Sequence, residues 1–247
     1  MGSSPRRTVF VAGAGGAIGR VLCELLLGDG WHVVGTTRKP ATASDLGSLG
    51  VDPVVVDVFD RDSLVRAVVD AAPEVVVHQL TDLPRERSPS SMAAARPRNA
   101  RIREIGTANL IAAAEASGAR RLIAQSIAFA YAPDPRPHRE DAALDVSSAP
   151  AVAKLEELVL GCAMEGIVLR YGRLYGPRTW SLTRSGEAPV HVDAAADAAR
   201  RALTLGKRGV YNVAEDDGVV SSVKANSELG WSASFRASSV DFRQDRR

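Results

Sequence analysis

The chain has 247 residues, 45% of them hydrophobic and 24% charged, the balance of one globular α/β-sized domain with a sizeable core. Its formal net charge is only +2 and its basic residues are scattered, which argues against a nucleic-acid partner held by charge. No apolar stretch approaches the roughly 20 residues that a membrane helix needs, which argues against a membrane partner.

Strands and helices are predicted to alternate from the start. Residues 8–12 (TVFVA) form a short apolar run ending in glycines, as a buried parallel strand does. The opening MGSSPRRTVF carries charge but no apolar run ahead of that strand, so no signal peptide is expected and a cytoplasmic location follows. Residues 18–27 place Val21, Leu22, Leu25 and Leu26 on one helical stripe, stopped by Gly28 and Gly30. Strands follow at 32–36 (HVVGT) and 53–56 (PVVV). A helix over 60–71 opens on the acidic Asp60, with Leu64, Val65 and Val68 inward. Strand four is 74–77 (EVVV). A long helix spans about 98–117 with Ile102, Ile105, Leu110 and Ile111 inward, closed by Gly118. Strand five is 121–125 (RLIAQ), a helix covers 151–164, and strand six is 166–170 (GIVLR). Residues 84–97 and 132–150 read as irregular, proline-rich walls of a pocket. Such repeated units predict a doubly wound, Rossmann-type parallel sheet covered on both faces. The whole is one domain, with 8–170 as dinucleotide-binding core and 171–247 as a small, mainly substrate-binding portion. Cys23 and Cys162 form no CxxC pair, so neither structural zinc nor a disulfide is expected.

The turn after the first strand reads GAGGAIG over 13–19. A diphosphate needs bare backbone N–H groups and the positive end of a helix, with no side chains in its way. Gly13 permits the tight turn, Gly16 the close approach of the diphosphate, and Gly19 close helix–sheet packing; the backbone of Ala14, Ala17 and Ile18 completes the cradle. After the second strand, GTTRK at 35–39 carries no acid and two cations. An acid there would suit the ribose hydroxyls of NAD, whereas Arg38, with Thr36 and Thr37, suits a 2′-phosphate. Arg20 is a further candidate for that phosphate. The expected cofactor is therefore NADPH.

These features together resemble the short-chain dehydrogenase/reductase superfamily, in its extended and atypical, epimerase/dehydratase-like branches. The turn is similar to the family's GxxGxxG, and Asp57-Val58 to its adenine-contacting pair. HQLT at 78–81 stands where the family chain passes the nicotinamide ribose, which implies cofactor contacts for Gln79 and Leu80. Gly106-Thr107 and Asn109-Leu110 match the family's long helix. LRYGRLYGP at 169–177 is similar to its LRxxxxYGP, which brings Tyr171 and Arg173 to the cofactor. Ser126 stands where the family keeps its catalytic serine, and Lys154 where it keeps the lysine of Tyr-x-x-x-Lys, which also holds the nicotinamide ribose. The tyrosine position of that motif is occupied by Pro150, which has no proton to give and suits a helix start. Tyr131 as the family tyrosine is the alternative, but no lysine lies four residues after it.

A missing tyrosine in an otherwise matching chain resembles the atypical ketoreductases of aromatic polyketide antibiotic pathways, angucyclinone ketoreductases of simocyclinone-type biosynthesis among them. The implied reaction is NADPH-dependent reduction of an aromatic ketone. The lost general acid is worth roughly 10²–10⁴ in rate. Tyr131, Tyr175, His191 or a water held by Ser126 could replace it, or the substrate could stabilise its own oxyanion through a neighbouring phenol. Thr81, Ile127, Phe129, Tyr175 and Trp180 are the expected substrate-contacting residues. A non-catalytic NADPH sensor and an isomerase or lyase of the same fold remain as alternatives, and relatives commonly form homodimers through the helices after strands four and five.

Overall fold

The computed structural model describes residues 7–84 and 86–237. The first six residues and the last ten of the expected substrate-binding portion lie outside the described residues. In chain order the elements are β1 (Thr8–Ala12), α1 (Ala17–Gly28), β2 (His32–Thr37), α2 (Pro40–Gly47), β3 (Asp52–Val55), α3 (Arg61–Ala71) and β4 (Val75–His78). Then come α4 (Pro89–Arg101), a π-helical turn (Ile102–Gly106), α5 (Thr107–Ser117), β5 (Arg121–Ile127), α6 (Pro150–Gly161) and β6 (Glu165–Tyr171). The chain continues through β7 (Arg173–Tyr175), β8 (Pro189–His191), α7 (Val192–Ala202), β9 (Gly209–Val213) and α8 (Val223–Leu229).

Seven strands form one sheet in the order β3-β2-β1-β4-β5-β6-β9, all parallel. Alternation along β1 sends Val9 and Val11 to one face and Phe10 and Ala12 to the other. The first face meets α1 and α7 through Leu22, Leu26 and a run of alanines, and the second meets α3, α5 and α6 through Leu64, Val68, Leu110 and Leu155. Fully burying a leucine of this kind is worth about 1.5–3 kcal/mol, so the two layers hold the sheet from both sides. The strand order reverses at β1, between β2 and β4. A doubly wound sheet opens its ligand crevice at that point, beyond the carboxyl ends of the strands. Among the described residues no helix is long and apolar enough to cross a membrane.

Three sequence expectations change. Residues 84–97 are not irregular throughout: Ser88 and Ser91 build a capping box, Pro89 takes the first helical turn, and α4 runs on past Pro97. The expected helix start near residue 98 therefore lies at Pro89, and α4, the π turn and α5 form one continuous helix. The π turn rotates the following face, which leaves Ile105 47% exposed instead of inward. Beyond residue 170, β9 pairs with β6 and α7 packs on α1, so this part of the chain extends the same sheet and its helical layer.

The phase shift can be checked directly. Leu110→Ala, at a fully buried site, is expected to lower stability by about 2–5 kcal/mol. Ile105→Ala should cost less than about 1 kcal/mol. Urea midpoints of the two variants report the difference.

Candidate functional site: a dinucleotide cleft

A cleft of about 260 Å³ opens at the reversal of strand order, lined by Gly13, Gly15, Gly16, Thr36, Thr37, Arg38, Asp57, Val58, Leu80 and Thr81. Gly13 has φ +91°, and a Cβ there would lie 2.7 Å from the Gln79 carbonyl oxygen. A Cβ on Gly19 would come within 2.2 Å of the Gly13 carbonyl oxygen, so Gly19 closes on the turn itself. Gly16 caps α1 with extended backbone and without a side-chain hydrogen bond. The donors at the start of the helix therefore face the cleft as an anion site. The buried Gln79 Oε1 has no hydrogen-bond partner. These features fit a bound dinucleotide: a bare backbone cradle for its diphosphate and an unfilled acceptor for its hydroxyls.

The remaining predicted cofactor residues divide. Ala14 and Ile18 are buried in the core, so only their backbone is available, and Ala17 packs against the same cluster. Asp57 accepts a hydrogen bond from the Phe59 N–H at 3.0 Å, which fixes the turn after β3. Arg38 lies 3.6 Å from Asp82, which also holds Arg98. Arg20 pairs with Glu24 instead and is not among the lining residues. Gln79 Nε2 donates to the buried Tyr171 hydroxyl at 3.2 Å, and Arg173 stacks its guanidinium on Phe129. Sequence reasoning missed Thr42, Phe59 and Ile102, which also line the cleft. The signal for Thr42 was present: Lys39-Pro40 marks a helix start, and the Thr42 methyl would meet any Cβ on Gly15 at 2.5 Å.

The expected catalytic residues Ser126 and Lys154 each have another partner. Ser126 is buried within β5 and donates its hydroxyl to Glu156 at 2.6 Å. Glu156 in turn holds Arg170 bidentately, at 2.9 and 2.6 Å. Lys154 is on the opposite side of α6, 47% exposed and ion-paired with Glu157. Pro150 shares that exposed stripe and starts the helix, as the sequence suggested.

The other hydroxyls are engaged as well. Tyr131 accepts from Arg170 and donates to Asn212 at 2.6 Å, and burial raises its pKa. Tyr175 donates to Glu215 at 2.5 Å, its pKa raised first by burial and then by that carboxylate. His191 accepts from the Asp193 N–H and packs edge-on against Tyr175; burial lowers its pKa. Trp180 donates to the Pro84 carbonyl at 2.9 Å, tying its loop to the segment before α4. Ile127, the last residue of β5, is partly buried.

His78 ends β4 fully buried. Its Nδ1 accepts from the Leu80 N–H at 3.2 Å, so Nε2 carries the proton towards Thr107 at 3.0 Å. Burial, with Arg103 nearby, lowers its pKa from 6.5 to about 4. The unfolded chain therefore takes up a proton near pH 6.5 that the folded chain refuses until about pH 4. Stability from this group is complete above pH 6.5 and is lost as pH falls towards 4, by about 3 kcal/mol in all. His78→Gln is expected to flatten this part of the stability–pH curve, measured by urea unfolding.

Residues 13–204 match the NAD(P)H-binding family. The chain is 40% identical over 239 residues to a 3-diazoavenalumate denitrifying reductase from a Streptomyces species, covering 85% of this chain and 76% of the relative. Its fold is similar to that of UDP-glucose 4-epimerase from Thermus thermophilus, solved with NAD (TM-score 0.74, 21% identity, 93% and 95% of the two chains). It is also similar to the Thermotoga maritima UDP-glucose 4-epimerase, solved with UDP-glucose (TM-score 0.73, 17% identity, 91% and 93%). With its seven-stranded sheet and glycine cradle, the chain belongs to the NAD(P)H-binding family, and its fold is like that of these epimerases.

Proposed function

We propose that the chain is an NADPH-dependent reductase acting on a small aromatic substrate that needs no proton from the protein during hydride transfer. One observation carries this reading: the hydroxyls of Ser126, Tyr131 and Tyr175 are already committed to Glu156, Asn212 and Glu215, while Pro150 offers none. The preference for NADPH rests on Arg38, Thr36 and Thr37 at the end of β2, where the segment 35–39 itself carries no acid. Arg38 would hold the 2′-phosphate, the 13–19 turn the diphosphate, and Gln79 the ribose next to the nicotinamide. Bound in this way, the nicotinamide supplies the hydride.

The protein then contributes orientation and exclusion of water, which alone can supply much of the rate. An aryl diazonium group fits such a site, because Ar–N₂⁺ and H⁻ balance as Ar–H and N₂ with no oxyanion to protonate. The 40% identical relative, named as a reductase of a diazo compound, supports this substrate class. The second reading is a ketone with a phenol hydroxyl beside it, as in angucyclinones, whose internal hydrogen bond takes up the developing charge. It is favoured by the resemblance to atypical ketoreductases of a chain that keeps the family's other motifs but carries Pro150 at the tyrosine position. Both place the protein in the cytoplasm, where reduced nucleotide is made.

Two outcomes are expected. Arg38→Ala should raise the Kd for NADPH roughly 10- to 100-fold and leave NADH within about 3-fold, by fluorescence titration. Ser126→Ala, Tyr131→Phe and Tyr175→Phe should each keep kcat within about 10-fold of the parent. A true general acid would cost roughly 10²–10⁴, so a loss of that size at any of them moves the proton donor back to the protein. The substrate class is read from NADPH oxidation with an arenediazonium salt, with N₂ measured, and with a 1-hydroxyaryl ketone. Tight NADPH binding with no oxidation by either would leave a sensor, not a reductase.

A further inference from the structure

Arg103 is the second residue of the π-helical turn and is partly buried. Every other partly or fully buried arginine among the described residues has a partner. Arg20 has Glu24, Arg121 has Glu165 and Arg170 has Glu156. Arg200 and Arg201 share Asp197, and Arg173 has the Phe129 ring. No hydrogen bond, ion pair or ring contact holds the Arg103 guanidinium among the described residues. Burial pulls its pKa below the ordinary arginine value, and no carboxylate offsets that pull. Withdrawing part of a guanidinium from water without an anion is unfavourable, and an anion brought from outside the chain would offset that cost.

Its position says where that anion would sit. In a parallel sheet the connecting helices run antiparallel to the strands, from the carboxyl edge back to the start. Thr107 meets His78 at the last residue of β4, and Arg103 lies one turn earlier, nearer the ligand edge. Its charge acts on His78 at the end of β4, and its neighbour Ile102, though not Arg103 itself, lines the cleft.

We propose that Arg103 is a specificity residue that receives a carboxylate carried by the aromatic substrate. This inference rests on the reductase reading above. An arginine fork matches a carboxylate bidentately, and the relative's substrate is named as the carboxylate 3-diazoavenalumate. The nucleotide's phosphates are the other source of negative charge, and the test separates the two.

The probes are 4-hydroxycinnamate and its methyl ester, titrated by calorimetry into protein saturated with NADP⁺, so no hydride transfer is involved. Failure of the reductase reading would leave this readout intact. The parent protein should bind the acid at least about 10-fold tighter than the ester, and Arg103→Met should weaken the acid roughly 10- to 100-fold without changing the ester. Arg103→Lys should recover part of the loss. Because the native guanidinium is unpaired, Arg103→Met should leave Tm unchanged or raise it. The proposal is overturned if the parent does not bind the acid or binds acid and ester alike. It is equally overturned if Arg103→Met lowers Tm, or weakens NADP⁺ about 10-fold, which would assign Arg103 to packing or to the nucleotide.

Discussion

The buried ion pair between Arg170 on β6 and Glu156 on α6 sets the carboxyl edge of this sheet. Both residues are 4% exposed. Arg170 reaches Glu156 with two nitrogens, Tyr131 with a third contact, and the Glu140 carbonyl besides. Ser126 of β5 donates into the same carboxylate, and Tyr131 passes the chain on to Asn212 of β9. Three adjacent strands and one helix are thereby joined through charge-assisted bonds in a place of low dielectric. Losing one member of such a pair leaves a buried charge, at a cost of about 3–5 kcal/mol. The rotation of α6 about its axis is fixed as a result.

That rotation explains what the sequence could not disclose. Lys154 stands two residues from Glu156, about 200° around the helix, so an inward Glu156 means an outward Lys154. The spacing from Pro150 to Lys154 is a local feature, whereas the phase of the helix belongs to the contact of Glu156 with Arg170, 14 positions away. The glycine turn was legible for the opposite reason. Its constraints are backbone constraints between Gly13, Gly19 and the strand ends, and they leave their mark in glycines at fixed offsets. The strands were legible too, because apolar runs such as VVVH are buried on both faces. α4 was not, since only Ala95 and Asn99 of its thirteen residues are buried and its serines and prolines read locally as loop.

The same network bears on chemistry. A general acid must have a proton to release towards substrate, and a hydroxyl held against a buried carboxylate or amide is a poor source. In this chain the hydroxyls of Ser126, Tyr131 and Tyr175 donate to Glu156, Asn212 and Glu215. Burial also raises the pKa of Tyr131 and Tyr175, which strengthens their hold on the proton. A reaction that generates no alkoxide, or one that neutralises it within the substrate, places no demand on them.

The continuous helix from Pro89 to Ser117 shows how one element can serve both ends of the cleft. Asn99 fastens the backbone of Asp82 in both directions, and Asp82 receives Arg38 beside the second strand. Further along, Ile102 lines the cleft, Thr107 meets His78, and Asn109 donates to the Val58 carbonyl. A regular α-helix of 3.6 residues per turn would turn some of these away from the sheet. The π turn over Ile102–Gly106 takes in an extra residue per turn. It is bracketed by contacts on the same side, with Gly106 set against Val58, where a Cβ would come within 3.2 Å of a methyl. The Ile105 side chain left in solvent is the counterpart of that correction: the helix gives up one apolar contact so that Ile102 before it meets the cleft and Thr107 and Asn109 after it meet the strand ends.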